Sequence, residues 1–216
     1  MSLEDILSRV EVAEIETGRK KGSVNIIAVS KVQPVERIKR VLNQGHRVFG
    51  ENRVKESLAK WPVLIEEYGE IELHLLGPLQ TNKVKEATQF FNVIHSVDRK
   101  KLVLKIDSEV QKRGICPALF IQVNTGNELQ KAGVALEHLE DLFKLAKEEY
   151  SLPVIGLMCL PPVNEPPLTH FKKLSSLNEH LGLSRISMGM SNDFEDAIKS
   201  GATDIRVGSA IFGSRS

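Results

Sequence analysis

Several features are scarce or missing in this chain, and each one narrows its function. There are two cysteines in 216 residues, Cys116 and Cys159, far apart and never as a CxxC pair. Neither a zinc ribbon nor a thioredoxin-type motif can be built from them, and both are expected to be reduced core or near-core thiols of a cytoplasmic protein. Net charge is nearly absent, with 29 Lys+Arg against 28 Asp+Glu leaving +1. That balance gives no support for nucleic acid or an anionic membrane as a partner. No apolar stretch approaches the length of a membrane span. The amino terminus, Met1-Ser2-Leu3-Glu4-Asp5, is too acidic and too poor in apolar residues for a signal peptide. No linker or low-complexity segment interrupts the chain, and the proline cluster from Pro161 to Pro167 reads as a stiff loop. One domain over residues 1–216 is expected.

What the chain does have is a repeated beat. Ser2 with Asp5 reads as a capping box, opening a helix whose Leu3, Ile6, Val10 and Ala13 share a face. Then come Asn25–Ser30, a buried-type strand, and a helix after Pro34 with Val35, Ile38, Val41 and Leu42 as its stripe. Strands are predicted again at 47–50, 71–77, 92–95, 118–123, 153–158, 184–188 and 204–208. Helices are predicted between them, including one from about Asn52 to Glu67, one capped by Asp98, and a short acidic one over 192–200. Eight strand–helix units imply parallel pairing and a closed (β/α)8 barrel with an extra amino-terminal helix. A doubly wound open sheet is the alternative, but no G-x-G-x-x-G follows the first strand.

In such a barrel the carboxyl ends of the strands carry the chemistry. Those ends present Lys31, Glu51-Asn52, Gly77 to Gln80, His95-Ser96, Asn124, Met158-Cys159, Met188 to Ser191, and Arg206 with Gly208-Ser209. Lys31 is the one candidate nucleophile. With its stem against an apolar wall, its amine would lose solvation and reach the neutral form needed for a Schiff base. His74 and His95 lack helical ligand spacing and read as packed or hydrogen-bonded rings. Ser191-Asn192-Asp193 opens a helix, and Gly208-Ser209 leads into another turn, on the last two strands. Backbone N–H groups, a serine hydroxyl and a close-approach glycine there suit a phosphate; an ordinary helix cap is the plainer reading of Ser191 or Asn192. An aldehyde-binding lysine facing a phosphate cradle fits pyridoxal phosphate. Arg206 would then lie beneath the ring and meet its pyridine nitrogen, the alternative being a salt bridge inside the barrel.

The chain resembles the pyridoxal phosphate homeostasis protein family. The segments that carry the resemblance include Ala28-Val29-Ser30-Lys31, Phe49-Gly50-Glu51-Asn52 and His74-Leu75-Leu76-Gly77-Pro78-Leu79-Gln80-Thr81-Asn82-Lys83. They continue through Lys131-Ala132-Gly133, Gly156-Leu157-Met158, Leu183 to Ser191 and Arg206 to Gly213, in order along nearly the whole chain. The resemblance implies a barrel like the amino-terminal domain of alanine racemase, with Lys31 as the aldimine lysine and Asn52 near the cofactor. It also implies that Ser191, Gly208 and Ser209 hold the phosphate and that Arg206 faces the ring nitrogen. Ser209 stands where the family often has threonine, and Leu73 where an aromatic is common; the hydroxyl is kept at the first.

The resemblance further implies a carrier rather than a catalyst, buffering pyridoxal phosphate and passing it to apo-enzymes, with indirect effects on amino-acid and keto-acid balance. Racemases of the related fold add a second domain and a tyrosine base. Here the chain stops soon after its eighth strand, and Tyr68 and Tyr150 fall at helix ends opposite Lys31. An arginine on the pyridine nitrogen would keep it unprotonated and weaken the ring as an electron sink. A single-domain racemase and a cofactor-free Schiff-base aldolase are the competing readings. A monomer is expected, and Cys159, placed beside the pocket mouth, is expected to pack rather than to sense oxidation.

Overall fold

The computed structural model describes residues 2–128 and 130–213. Eight strands close into a parallel barrel in sequence order, β1 pairing with both β2 and β8. The strands are β1 Asn25–Val29, β2 Val48–Glu51, β3 Glu72–Leu75, β4 Val93–Val97, β5 Ala118–Val123, β6 Val154–Cys159, β7 Arg185–Met190 and β8 Asp204–Val207. The crossovers are α2 Val35–Asn43, α3 Val54–Tyr68, α4 Val84–Phe90, α5 Lys100–Arg113, α6 Leu139–Lys144, α7 Pro167–His180 and α8 Phe194–Lys199. A helix before the barrel, α1 Leu3–Glu16, and a short last turn, α9 Ser209–Phe212, complete the order.

The expected barrel and amino-terminal helix are therefore present. Ser2 caps α1 in the reciprocal arrangement with Asp5, each residue's side chain accepting from the other's backbone N–H. The buried face of α1 is Leu3, Ile6, Val10 and Ala13, and the helix packs against α8, where Arg9 grips Glu195 with two hydrogen bonds of 2.9 and 2.7 Å.

Most of the apolar core lies between the strands and the helices, gathered around Phe49, Trp61, Leu73, Leu102, Phe171 and Phe194. Val93, Phe120 and Met158 form a small separate cluster. Strand residues pointing alternately to the two sides serve these two environments.

Some element ends differ from expectation at places that matter for function. β4 runs on to Val97, so His95 sits within the strand and not at its end. The reason is an extra residue: Ile94 pairs with Leu119 but Val97 with Ile121. β7 likewise carries an extra residue between Ser187 and Met190 and reaches Met190. Such bulges re-aim the side chains beside them. The helix after β4 starts at Lys100 with Arg99 as its cap residue, not Asp98. Asp98 instead pairs with the Arg99 guanidinium and accepts a long bond from the Gly133 N–H.

Candidate functional site

All six residues singled out from the sequence, Lys31, Asn52, Ser191, Arg206, Gly208 and Ser209, line one cavity of about 360 Å³ at the carboxyl ends of the strands. That is the size range of small-molecule sites. A second cavity, of about 640 Å³, lies between the start of α5, residues 133–135 and α6, and its lining contains none of them.

Lys31 follows β1 in a turn closed by the Gln33 N–H bonding the Ser30 carbonyl at 3.1 Å. Behind it Glu51, at the end of β2, is wholly buried. Glu51 Oε1 accepts from Ser30 Oγ (2.6 Å) and Trp61 Nε1 (3.0 Å) and pairs with Lys60 Nζ (2.7 Å). Lys60 also donates to the Ser30 carbonyl at 3.0 Å. On the other side of Lys31, the Val32 N–H donates to Glu56 Oε1 at 2.7 Å. Both flanks of the lysine are thus tied to β2 and α3. Asn52 is placed by close approach: a Cβ on Gly77 would stand 2.2 Å from the Asn52 carbonyl oxygen, so only glycine lets β3 exit there.

Ser191 and Asn192 form the tip of a turn. The Met190 N–H donates to Asp193 Oδ1 at 2.6 Å, and the Asp193 N–H returns to the Met190 carbonyl at 3.1 Å. Asp193, not Ser191 or Asn192, is the residue that precedes α8. Gly189 makes this turn possible. Its φ of +89° suits glycine, and a Cβ there would come within 2.5 Å of Ala197 Cβ. Ser191 Oγ in turn accepts a long bond, 3.4 Å, from the Ala210 N–H in α9. The β7 and β8 exits therefore meet through the serine.

Arg206 forms the floor. It is 4% exposed. Its Nη1 donates to Ser187 Oγ at 2.6 Å and its Nη2 to the Cys159 carbonyl at 2.8 Å. Burial lowers its pKa, but a guanidinium keeps its proton. Among the described residues no carboxylate lies within ion-pairing distance of it. The salt bridge inside the barrel is made one layer lower, where Arg185 takes Asp204 through two hydrogen bonds, Nε to Oδ2 at 3.0 Å being one of them. A buried cation with donors left over is well suited to an acceptor atom of a ligand in the cavity.

Residues 10–216 match the family described as alanine racemase, N-terminal domain. A pyridoxal phosphate homeostasis protein of Aquifex aeolicus is 40% identical over 99% of this chain and 96% of its own length. This chain belongs to the pyridoxal phosphate homeostasis protein family. PipY of Synechococcus elongatus, whose structure was solved with PLP bound, superposes with a TM-score of 0.83 at 33% identity, covering 96% of this chain and 100% of that one. Alanine racemase of Corynebacterium glutamicum, at 15% identity and a TM-score of 0.66, shares the fold across 62% of its chain.

Against this family background, the expectations divide cleanly. Of the strand-end set, Lys31, Asn52, Met158, Met190, Ser191, Arg206, Gly208 and Ser209 line the cavity, whereas Glu51, Gly77 to Gln80, His95-Ser96, Asn124, Cys159, Met188 and Gly189 are not part of its lining. Cys159 is not at the mouth: it is buried in the layer between strands and helices, and burial pushes its thiol up to about 12. It packs, and only its carbonyl serves the site. The two tyrosines are where expected, Tyr68 ending α3 and Tyr150 following α6, at the far end of the barrel. The Glu51–Lys60–Trp61 cluster was not anticipated. A glutamate at a strand end followed nine residues later by Lys-Trp was its only trace.

Proposed function

We propose that this protein holds pyridoxal 5'-phosphate on Lys31 as an aldimine and serves as a reversible store of the cofactor. The observation that carries the reading is the pairing, in one cavity, of Lys31 with a buried Arg206 that has no carboxylate partner among the described residues. The Lys31 amine would take the aldehyde carbon with loss of one water, and hydrolysis would release the cofactor. Ser191, Gly208 and Ser209, with the N–H groups of the turn entering α9, receive the phosphate. Asn52 flanks the ring.

Arg206 donates to the pyridine nitrogen. Having no acceptor, it keeps that nitrogen unprotonated and leaves the ring a weak electron sink. Neither tyrosine is near Lys31 to act as a second base. Both features favour storage and delivery to apo-enzymes over racemisation. The names of the relatives and the cofactor in PipY support the same reading. With it go a single cofactor-binding domain over residues 1–216, a cytoplasmic location and a monomer. No helix is long and apolar enough to cross a membrane among the described residues.

The test is the visible spectrum of the protein with pyridoxal phosphate, wild type against Lys31→Ala. A yellow band that is lost in the variant, and fixed on Lys31 by borohydride, is the expected result. No band in the wild type would overturn the reading. Transfer to an apo-enzyme without amino-acid turnover separates a store from a racemase.

A further inference from the structure

Beneath the cavity a hydrogen-bonded column runs through the barrel, where branched apolar side chains usually fill such interiors. It begins at Arg206 on β8, whose Nη1 donates to Ser187 Oγ on β7 at 2.6 Å. Ser187 Oγ lies 3.0 Å from His95 Nδ1 on β4. His95 Nε2 lies 2.8 Å from His74 Nδ1 on β3, and His74 Nε2 lies 2.6 Å from Glu72 Oε1. β4 and β7 are not neighbours in the sheet, so the Ser187–His95 link crosses the hollow of the barrel. The two histidines and the serine are wholly buried. Glu72, the first residue of β3, has a side chain 43% exposed at the opposite mouth.

With one proton on each ring, every bond has a fixed direction. A carboxylate only accepts, so His74 Nε2 carries hydrogen and donates to Glu72; its Nδ1 then accepts from His95 Nε2–H. His95 Nδ1 accepts from the Ser187 hydroxyl, and Ser187 Oγ accepts from Arg206. The chain of donors thus runs from a permanent cation at the pocket floor to a carboxylate at the far rim. His95 is kept neutral by burial first, with the Arg206 and Arg185 charges adding to it. Its ring stacks on Phe120 at 4.3 Å, and the Arg185 guanidinium lies 5.7 Å from the other ring's centre. The bond from His74 holds the Glu72 carboxyl below its usual range.

Burying this many polar groups is costly unless all are satisfied. If neutralising Arg206 were the only need, a carboxylate beside it would meet it more simply, as Asp204 does for Arg185. A direct carboxylate would also consume the donors that face the cavity. We propose that Ser187, His95, His74 and Glu72 are positioning residues for Arg206. The column fixes the plane of the guanidinium and aims its remaining N–H groups at the ring nitrogen of the ligand. The ligand part of this proposal rests on the cofactor reading above; the positioning part does not.

The experiment uses the full chain, first without cofactor. The rotation rate of the Arg206 guanidinium, read from its ¹⁵N-resolved N–H signals, is compared in wild type, Ser187→Ala and Glu72→Gln. Slow rotation is expected in the wild type and about tenfold faster rotation in Ser187→Ala, since a bond to a charged donor is lost. Glu72→Gln, a change at a half-exposed rim that leaves the core intact, is expected to give a smaller increase of about threefold by weakening the chain from its end. Pyridoxal phosphate is then added, and its absorption maximum and release rate should shift in the same order. Equal rotation in all three proteins would overturn the proposal. An effect of Ser187→Ala with none from Glu72→Gln would overturn the part assigned to Glu72. A wild type that takes up no cofactor would sink the cofactor reading, while the guanidinium rates still decide the positioning.

Discussion

Lys60 and Arg206 are both cations withdrawn from water, and the fold treats them in opposite ways. Lys60, its side chain 9% exposed, is closed off: Glu51 at 2.7 Å, Glu56 at 3.3 Å and the Ser30 carbonyl at 3.0 Å occupy its three donors. Arg206 meets a hydroxyl and a carbonyl, and its nearest counter-charge among its bonded partners is four links away at Glu72. The first cation braces the turn that carries Lys31. The second keeps donors in hand. A buried charge that is fully satisfied within the chain is structural; one that is left short of acceptors at a cavity floor is set for a ligand.

The largest expected effect comes from breaking the closed member of the pair. Lys60→Met strands the Glu51 carboxylate, one of whose oxygens already lacks a partner among the described residues. Urea denaturation is expected to register a loss of about 3–5 kcal/mol. The double variant with Glu51→Gln should recover much of it, because no buried charge is then left over. Arg206→Met strands no carboxylate, so the loss should stop near 1–2 kcal/mol, while cofactor affinity falls about tenfold or more. If Arg206→Met destabilised the protein as strongly as Lys60→Met, the contrast between a brace and a ligand-facing donor would be lost.

Protons give a second way to sharpen it. His95 has its pKa pushed well below 6.5, and burial lowers that of His46 as well. Below 6.5 the unfolded chain takes up a proton at each ring that the folded chain refuses. Stability is therefore complete above that value and is lost as pH falls through it, at up to about 1.4 kcal/mol per pH unit from His95 and over a narrower range from His46. Urea midpoints between about pH 7.5 and 5 measure the slope. His95→Gln is expected to remove the larger part of it; an unchanged slope would place the acid sensitivity elsewhere.

The barrel was legible because parallel strands buried on both faces read as plain apolar runs, as in Asn25–Val29, with turn residues between them. The same property hid the rest. When both faces are apolar, an added residue leaves no break in alternation, so the bulges at β4 and β7 could not be seen, nor could the inward turn of His95 and Ser187. Counting strand ends put Lys31, Asn52, Ser191, Arg206, Gly208 and Ser209 within a longer set, and the family resemblance was needed to single out Asn52. The partners of Arg206 could not be placed, since Ser187 and Cys159 come from different strands and the contacts depend on barrel closure. The position of Cys159 was within reach: Met158 lines the cavity, and the next residue on a strand faces the other way.

The smallest effect tests the turn that Lys60 braces. Val32 has φ of +60°, a region that β-branched residues rarely enter, and it is 70% exposed, so its side chain contributes little packing. Strain of this kind costs about 1–3 kcal/mol. Glycine relieves it but loses about 0.5–1 kcal/mol more in chain entropy on folding. Val32→Gly should therefore stabilise the cofactor-free protein by about 1 kcal/mol at most, seen as a raised urea midpoint. Val32→Ala keeps a Cβ in the same region and should move it by less than about 0.5 kcal/mol. The two N–H anchors on Glu56 and Ser30 hold the backbone in this shape whatever the side chain. What Val32 adds is strain and not hold, so Val32→Gly should leave cofactor release unchanged. A destabilised Val32→Gly would mean that the turn is unstrained.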